Sequence, residues 1–303
     1  MSQLNVGVIG VGLMGGMHAN TYHDLPNAKL VAVADPDENN RNRVASELEV
    51  EQQFDNYEEL LEMDSLDAVS ICTPDEMHKD PVTAAAKAGK DIFLEKPLAT
   101  DLTEAEEILR VVDNHGVKLM VGYLLRFDTR YGQIKEAIDR GELGEILYII
   151  SHRSSPHTEG PARYKPGTSL TMHVAVHDLD LIHWFMDSDP VEVYATGTDN
   201  LLSDRDMMDA ATALLSFENG SFASVNYSWA LPKTSPTKLD ARMEVVGTKG
   251  SAYIGAPHGQ GVLMATEGGI STPDLHHNPE LRGKVVGDLR EEIMEFVNSV
   301  LSD

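Results

Sequence analysis

Short apolar runs alternate with helical patterns over the first 124 residues. The runs lie at 4–9, 30–34, 67–72, 91–94 and 118–122, with a weaker one near 52–54. Strands that are apolar almost throughout are typical of a parallel sheet covered by helices on both faces. We therefore predict a doubly wound α/β domain over residues 1–124, in which a capping box at Thr103-Glu104-Ala105-Glu106 opens a helix through Val112.

The pattern changes after Tyr123. Helices are predicted at about 132–140, 174–186 and 288–301, and strands at 146–151, 191–198, 210–217, 221–229, 241–246, 251–254 and 262–265. Asn219-Gly220 is typical of a hairpin turn. Because short turns join most of these strands, residues 125–303 are predicted to form a second α/β domain with an open, mostly antiparallel sheet.

A glycine-rich turn follows the first strand directly. It reads Gly10-Val11-Gly12-Leu13-Met14-Gly15, and a helical segment and a second apolar run ending in Asp35 come after it. Strand, glycines, helix, strand and acid in this order predict a dinucleotide-binding site, although a glycine-rich turn without a ligand is the alternative. Gly10 permits the turn, Gly12 admits the pyrophosphate, and Gly15 lets the helix approach the strand. Leu13 and Met14 begin the helix whose N-terminus attracts phosphate.

Asp35 indicates which dinucleotide binds. A carboxylate at the end of the second strand accepts hydrogen bonds from the adenosine ribose and repels a 2′-phosphate. Pro36 and Asp37 follow, so no arginine adjoins Asp35, although Arg41 and Arg43 can still reach back. NAD is therefore predicted in preference to NADP.

Composition limits the cellular setting. The 303 residues contain 42% hydrophobic residues, and Cys72 is the single cysteine. No intrachain disulfide is possible, and Cys72 lies in an apolar run, where a buried structural thiol is expected. The sequence contains no stretch of 18 apolar residues, so no membrane span is predicted. Its first residues lack the pattern of a signal segment. These features predict a cytoplasmic protein.

The formal net charge is −25, with 49 acidic residues against 24 lysines and arginines. Both halves of the chain are acidic, so the charge is not a tail. Nucleic acid and anionic membranes are excluded as partners, because they would be repelled. An acidic surface of this kind indicates a halophilic protein, whose self-repulsion is screened at molar salt; an ordinary acidic protein is the alternative.

Two further motifs end predicted strands of the first domain. Thr73-Pro74 follows one strand and Glu95-Lys96-Pro97 ends another. Ligands of open α/β sheets bind at the carboxyl ends of strands, so both motifs should face the cofactor. Lys96 is the candidate for polarising a substrate oxygen, since an ammonium in a partly dry site is suited to this.

The chain resembles the glucose–fructose oxidoreductase / inositol dehydrogenase (Gfo/Idh/MocA) family over almost its whole length. The matching positions are the glycine turn, Asp35, Thr73-Pro74, His78, Gly89-Lys90, Glu95-Lys96-Pro97, Arg126-Phe127, Gly141, Gly144, His177, Asp180 and Gly247-Thr248-Lys249-Gly250. The resemblance implies a Rossmann domain followed by a substrate-binding domain whose sheet forms a homodimer or homotetramer. It implies NAD(P)-linked oxidation or reduction of a sugar, cyclitol or nucleotide sugar. Lys96 and His177 match the catalytic pair, and Thr73, Pro74, His78 and Glu95 match the cofactor side.

The segment 173–180 carries the second half of the expected chemistry. On an α-helix, His173, His177 and Asp180 would share one face. His177 is suited to take a hydroxyl proton, and Asp180 to orient its ring. The alternatives are a helix with ordinary polar residues and a zinc pair; a third zinc ligand is not evident, so we predict no metal.

The chain departs from the family pattern at three places. His173 stands where the family has aspartate, so a group that only accepts hydrogen bonds is replaced by one that also donates them; His173 is therefore a third catalytic candidate. Gly167-Thr168-Ser169 replaces a Gly-Gly pair. Family members also continue beyond the last helix, whereas this chain stops at Asp303, either naturally or by truncation.

Several side chains are candidates for substrate contact. Arg153, Arg163 and Lys165 flank the loop before the His173 segment and hint at an anionic or phosphate-bearing substrate, although solvation of the loop with local ion pairing is the favoured explanation. The candidates are Tyr123, Arg126, Arg153, Tyr164 and Lys165. Trp229 would stack on a sugar face or lie in the core.

Two classes of function remain from the sequence. The first is an NAD-dependent dehydrogenase of a polyhydroxylated substrate, with transient oxidation of a sugar carbon as a variant. The second is a non-catalytic NAD-binding sensor on the same fold. The presence of Lys96 favours the enzyme, whereas His173 in place of the family's aspartate leaves the sensor hypothesis standing.

Overall fold

The computed structural model describes residues 3–255, 264–266, 269–271, 276–277, 279–281 and 284–302. The chain divides into two compact units. The first joins Met1–Leu124 to His276–Asp303, and the second spans Leu125–Leu275. The predicted boundary after residue 124 agrees with this division. The prediction that the second domain continues to residue 303 is wrong, because the C-terminal segment belongs to the first unit.

The first unit is built on six parallel strands. These are β1 (Leu4–Ile9), β2 (Ala28–Ala34), β3 (Gln52–Phe54), β4 (Ala68–Ile71), β5 (Asp91–Glu95) and β6 (Leu119–Gly122). The helices between them are α1 (Leu13–Asp24), α2 (Glu38–Leu48), α3 (Tyr57–Leu61), α4 (Lys79–Lys87) and α5 (Leu102–His115). The order β3-β2-β1-β4-β5-β6 is that of a Rossmann fold, and it reverses between β1 and β4, where such folds bind dinucleotides.

Helices cover both faces of this sheet, as predicted. On one face Val6 and Val8 of β1 pack with Tyr22 of α1. On the other, Ile71 of β4 packs with Ile108 of α5. All five of these residues are buried, which explains why the strands read as continuous apolar runs.

The start of α5 corrects one local prediction. The N-cap is Asp101, whose carboxylate accepts hydrogen bonds from the backbone N–H groups of Thr103 and Glu104 at 2.9 and 3.2 Å. Thr103 is therefore inside the helix and does not open it. Gly116 adopts φ 65°, a left-handed conformation that glycine tolerates, and ends the helix.

The second unit is built on a six-stranded mixed sheet. Its helices are α6 (Thr129–Asp139), α7 (Gly160–Arg163), a π-helical turn (Thr171–Ala175) and α8 (Val176–Met186). Its strands are β7 (Ile146–Pro156), β8 (Pro190–Thr198), β9 (Ala210–Phe217), β10 (Phe222–Leu231), β11 (Asp240–Gly247) and β12 (Ser251–Ile254), and β13 (Met264–Thr266) and β14 (Gly269–Ser271) form a separate hairpin. The order is β12-β11-β7-β10-β9-β8, in which β7 and β10 are parallel and the other pairs antiparallel. The open, mostly antiparallel sheet is thus confirmed; residues 262–263 of the last predicted strand lie outside the described residues.

The two faces of this sheet differ in burial. Ile149 and Val225 lie on one face and are fully buried. Ile150 lies on the opposite face with Tyr194 and Tyr253, which are 72% and 66% exposed. The second face therefore presents large apolar side chains to the surroundings.

The C-terminal segment contains β15 (Glu280–Leu281), β16 (Lys284–Val285) and α9 (Asp288–Leu301). Ile293 and Phe296 of α9 belong to the core of the first unit, and the Phe296 ring meets the Phe93 ring of β5 edge-on at 5.6 Å. This packing is the physical reason why α9 belongs to the first unit. Among the described residues, no helix is both long and apolar enough to cross a membrane.

Candidate functional site

The turn between β1 and α1 has the geometry that close approach to a phosphate needs. Gly10 adopts φ 81°, and its N–H donates to the carbonyl of Ala34 at 2.7 Å. A Cβ at Gly15 would lie 1.8 Å from the Gly10 carbonyl oxygen, so only glycine fits there. No described atom lies within 4 Å of the Cβ position of Gly12, so the backbone is open to a ligand. Gly12 is also the N-cap and offers no side chain to the first N–H groups of α1, which begins with Leu13 and Met14.

Asp35 is attached to this turn. It is 8% exposed, and its Oδ2 accepts a hydrogen bond from the Val11 N–H at 2.8 Å. Its Oδ1 accepts from the Asp37 N–H, also at 2.8 Å. The carboxylate is thereby fixed beside the glycine turn with lone pairs remaining for ribose hydroxyls, so the turn and Asp35 together fit an NAD molecule.

Two arginines of α2 reach back to Asp35 and the glycine turn. The sequence analysis left this arrangement open. Arg41 Nη1 donates to the Asp35 carbonyl at 2.5 Å, and Arg43 Nη2 donates to the Val11 carbonyl at 3.0 Å. Arg43 also faces Glu47 at 3.7 Å. Positive charge therefore lies near the Asp35 carboxylate.

His78 connects the loops after β4 and β5. It is buried, and its Nδ1 lies 2.8 Å from the Pro97 carbonyl while its Nε2 lies 3.1 Å from the Thr73 carbonyl. His78 therefore links the Thr73-Pro74 segment to the Lys96-Pro97 segment, because its ring contacts one backbone carbonyl of each. The peptide bond between Lys96 and Pro97 is cis.

Glu95 and Lys96 lie at the carboxyl end of β5. Glu95 is buried; its Oε1 is 3.0 Å from His18 Nε2, and its Oε2 accepts from the Lys96 backbone N–H at 3.2 Å. His18, three residues after Gly15, is fully buried, and its Nδ1 is 2.8 Å from Ser70 Oγ. A buried polar network thus joins α1, β4 and β5 beneath the turn.

The pair His18–Glu95 is arranged to be ionised. Burial opposes the charge on both groups. The hydrogen bond and charge of His18, with the charge of Lys96, nevertheless hold the pKa of Glu95 below its usual value. Cys72 and Glu95 in turn raise the pKa of His18 well above 6.5.

In the second unit, His173 lies in an aromatic cluster. Its ring centroid is 4.1 Å from that of Tyr164 and 6.4 Å from that of Trp229, and Tyr164 and Trp229 are 5.6 Å apart. Trp229 is buried, so it serves the core. The prediction that His173 and His177 share one α-helix is wrong, because His173 lies in the π-helical turn and His177 in α8. Such π turns are frequent at functional sites.

The candidate arginines of this unit are held by carboxylates. Arg126 donates from Nε and Nη2 to Asp180 at 2.9 and 2.6 Å, and its guanidinium lies 5.4 Å from the Trp184 ring. Asp180 is therefore paired with Arg126, whereas the sequence suggested that it orients His177. Arg153 is buried and donates from Nε to Asp178 at 2.6 Å. Because these charges are compensated, they give little support to an anionic substrate.

The remaining candidates are placed less distinctively. Tyr123 follows β6 and is half-buried, and Lys165 is exposed. The backbone carbonyl of Tyr164 accepts a hydrogen bond from Arg205. The side chain of Arg163 lies outside the described residues.

Two family models match the chain. The first, described as an oxidoreductase family with an NAD-binding Rossmann fold, matches residues 4–123. The second, the GFO/IDH/MocA C-terminal domain, matches residues 131–253. The chain belongs to the Gfo/Idh/MocA family of oxidoreductases. The resemblance stated from its motifs is confirmed, and so is NAD as the cofactor.

Several Gfo/Idh/MocA proteins illustrate the similarity. A scyllo-inositol 2-dehydrogenase (NAD(+)) of Bacillus subtilis (strain 168) is 34% identical over 278 residues, covering 89% of this chain and 79% of that protein. A myo-inositol 2-dehydrogenase of Thermotoga maritima is 30% identical over 271 residues, covering 88% and 79%. The crystal structure of a scyllo-inositol dehydrogenase from Lactobacillus casei with bound NAD(H) and scyllo-inositol matches with a TM-score of 0.84 and 25% identity, over 99% of this chain and 89% of that one.

The sequence interpretation missed His18, which the structure places beside Ser70 and Glu95. The signal was present, because a histidine facing the sheet from a helix that opens at the glycine turn needs a buried partner. The partner itself lies 77 residues away along the chain, so only the fold reveals it.

Proposed function

We propose that this protein is an NAD-dependent dehydrogenase of a cyclitol or a related polyhydroxylated ring. The observation that carries the proposal is the position of Lys96 at the end of β5, beside Glu95 and in the same unit as the glycine turn and Asp35. The relatives named above as inositol dehydrogenases support the substrate class. A ring of adjacent hydroxyl groups is the chemistry common to them.

NAD, held by the glycine turn and Asp35, would supply the acceptor for the hydride of the substrate carbon. Each candidate residue has a proposed role of its own. Lys96 donates a hydrogen bond to the reacting oxygen and stabilises the negative charge that develops there. His177 accepts the hydroxyl proton as general base. His173, in place of the family's aspartate, contacts a substrate hydroxyl as donor or acceptor.

The substrate screen tests the class of reaction. NADH formation is measured with NAD and myo-inositol, scyllo-inositol, glucose or UDP-glucose, in buffers of low and molar salt. We expect the inositols to be oxidised fastest. Confirmed NAD binding without turnover of any substrate would favour a non-catalytic sensor.

Substitution of Lys96 tests the catalytic role. Lys96→Ala should lower kcat by about 10²-fold, because it removes a positioned charge from the transition state. NAD affinity, measured by calorimetry, should change little. Lys87→Ala, at an exposed lysine of α4, is the matched control. Near-normal turnover of the Lys96 variant would remove Lys96 from the mechanism.

We further propose that the exposed face of the sheet in the second unit forms a homo-oligomer contact. Tyr148 and Phe222 stack there with ring centroids 5.4 Å apart, and Tyr194 and Tyr253 are exposed on the same face. Exposed apolar patches of this kind are typical of protein interfaces.

A cytoplasmic location accords with Cys72 as the single cysteine, because proteins of oxidising compartments commonly carry disulfides.

A further inference from the structure

The ammonium of Lys96 has no partner in the part of the chain that the structure describes, although a carboxylate adjoins it in the sequence. Among the described residues, Lys96 Nζ has no hydrogen bond or ion pair. Both oxygens of Glu95 are engaged elsewhere, Oε1 with His18 and Oε2 with the Lys96 backbone N–H. Successive side chains along a strand point to opposite faces, and the other partners of the Glu95 oxygens hold its carboxylate on the side away from the Lys96 ammonium.

His18 is held firmly enough to do this. Its Nδ1 lies 2.8 Å from Ser70 Oγ on β4, and the edge contact of its ring with Phe93 of β5 has a centroid distance of 5.2 Å. A carboxylate only accepts hydrogen bonds, so Nε2 must carry the proton and donate to Glu95. The ring orientation is therefore set by contacts with two strands of the first unit, β4 and β5.

We propose that His18 is a positioning residue for the reaction: by engaging the Glu95 carboxylate, it keeps the Lys96 ammonium free for the substrate oxygen. The inference rests on the role proposed above for Lys96. Without His18, a buried carboxylate oxygen loses its partner, which is costly. The charge of Lys96 already acts on Glu95 together with that of His18, and the two outweigh burial to lower the pKa of that carboxyl. The released Glu95 oxygen would therefore form an ion pair with the Lys96 ammonium, which would then no longer be available to the substrate oxygen.

Two substitutions of His18 separate positioning from packing. The amide nitrogen of glutamine reaches the place of Nε2, so His18→Gln keeps the Glu95 contact. The amide of asparagine reaches the place of Nδ1, so His18→Asn keeps only the Ser70 contact. Both variants remove the ring, and asparagine also leaves a methylene less than glutamine, so their melting temperatures, measured beside kcat, report the loss of packing.

We expect His18→Asn to lower kcat by about 10²-fold, as for a displaced catalytic group. His18→Gln should retain most of the wild-type kcat, and NAD affinity should be the same in both variants. Equal losses of kcat in the two variants, in step with their melting temperatures, would overturn the inference.

A second measurement does not depend on turnover. Lysines of the NAD complex are labelled sparsely with acetic anhydride, and peptide mass spectrometry compares Lys96 with the exposed Lys87 of α4. The ratio of Lys96 to Lys87 labelling should fall several-fold in His18→Asn and stay unchanged in His18→Gln. An unchanged ratio in His18→Asn overturns the inference, whereas failure of the wild type to oxidise any substrate overturns the proposed function alone.

The smaller change Ser70→Ala covers the case in which His18→Asn does not fold. It removes the other hydrogen bond of the His18 ring and so loosens its hold on Glu95. Lys96 labelling should fall in the same direction but by less. Wild-type labelling of Lys96 in that variant would contradict the inference.

Discussion

A single carboxylate, that of Asp35, carries two tasks. One oxygen holds the Val11 N–H of the glycine turn and the other holds the Asp37 N–H, while the same group is expected to bind the ribose of NAD. The nearby guanidinium groups of Arg41 and Arg43 would meet a 2′-phosphate with favourable charge. The expected preference for NAD over NADP therefore depends mainly on the negative charge of Asp35.

Removal of that charge is the first test at this scale. Asp35→Ala should weaken NAD by about tenfold or more, as expected for lost hydrogen bonds to a charged group, and should weaken NADP less. Calorimetric Kd values for both cofactors measure this. Asp35→Asn is the control, because its amide oxygen still accepts from the Val11 N–H while the charge is lost. Equal losses for both cofactors in the alanine variant would show that Asp35 does not select the ribose.

At the scale of elements, the His18–Glu95 pair links α1 to β5. Cys72, which follows β4, and Glu95 act on His18, and Lys96 acts on Glu95. Cys72 and Glu292 of α9 act on Tyr22 of α1. Burial opposes the charge of His18, but Cys72 and Glu95 outweigh it and raise its pKa well above 6.5. The pair therefore contributes to stability in a way that depends on pH.

The sign follows from linkage. His18 binds its proton more tightly in the folded state, so its contribution is fully present below pH 6.5 and is lost as the pH rises through the raised pKa. Glu95, whose pKa is lowered, contributes above pH 4.5 and loses that contribution as the pH falls through the lowered value. Wild type should therefore exceed His18→Gln in melting temperature most clearly between these two pH values, and the difference should shrink in alkali. Melting curves of both proteins from about pH 5 to about pH 9 measure this, and parallel curves would contradict it.

The elements also show what the sequence can and cannot predict. Five of the six strands of the Rossmann sheet were visible as apolar runs, because strands covered on both faces leave that local signal. The edge strand β3, Gln-Gln-Phe and mostly exposed, gave only a weak one. The cap of α5 was misassigned, since Asp101 and Thr103 are both good caps and only the backbone conformation decides between them. The amphipathic pattern of α9 shows that one face of the helix packs against a core, but it does not show which of the two domains supplies that core. The π-helical turn at His173 and the partner of His18 depend on tertiary contacts that no short window contains.

For the whole molecule, the dominant quantity is the net charge of −25. The described ion pairs compensate individual acids, such as Asp178 and Asp180, but 49 acidic residues share only 24 lysines and arginines. Folding brings the uncompensated charges closer together, and association through the exposed sheet face brings two sets together. Both processes therefore work against electrostatic repulsion that salt screens.

We accordingly expect the stability and self-association of this protein to increase from dilute buffer to molar KCl. Because 1 kcal/mol moves Tm by about 2–4 °C in domains of 150–250 residues, a gain of a few kcal/mol should appear as a rise of roughly 5–10 °C. Sedimentation velocity over the same salt series should show the oligomer growing at the expense of the monomer. Sucrose at matched osmolality is the control, because it stabilises by exclusion from the surface without screening charge. If Tm and the oligomeric state stay constant from low to high salt, the acidic surface is incidental and the protein is not salt-adapted. If sucrose raises Tm as much as KCl does, the gain does not come from screening.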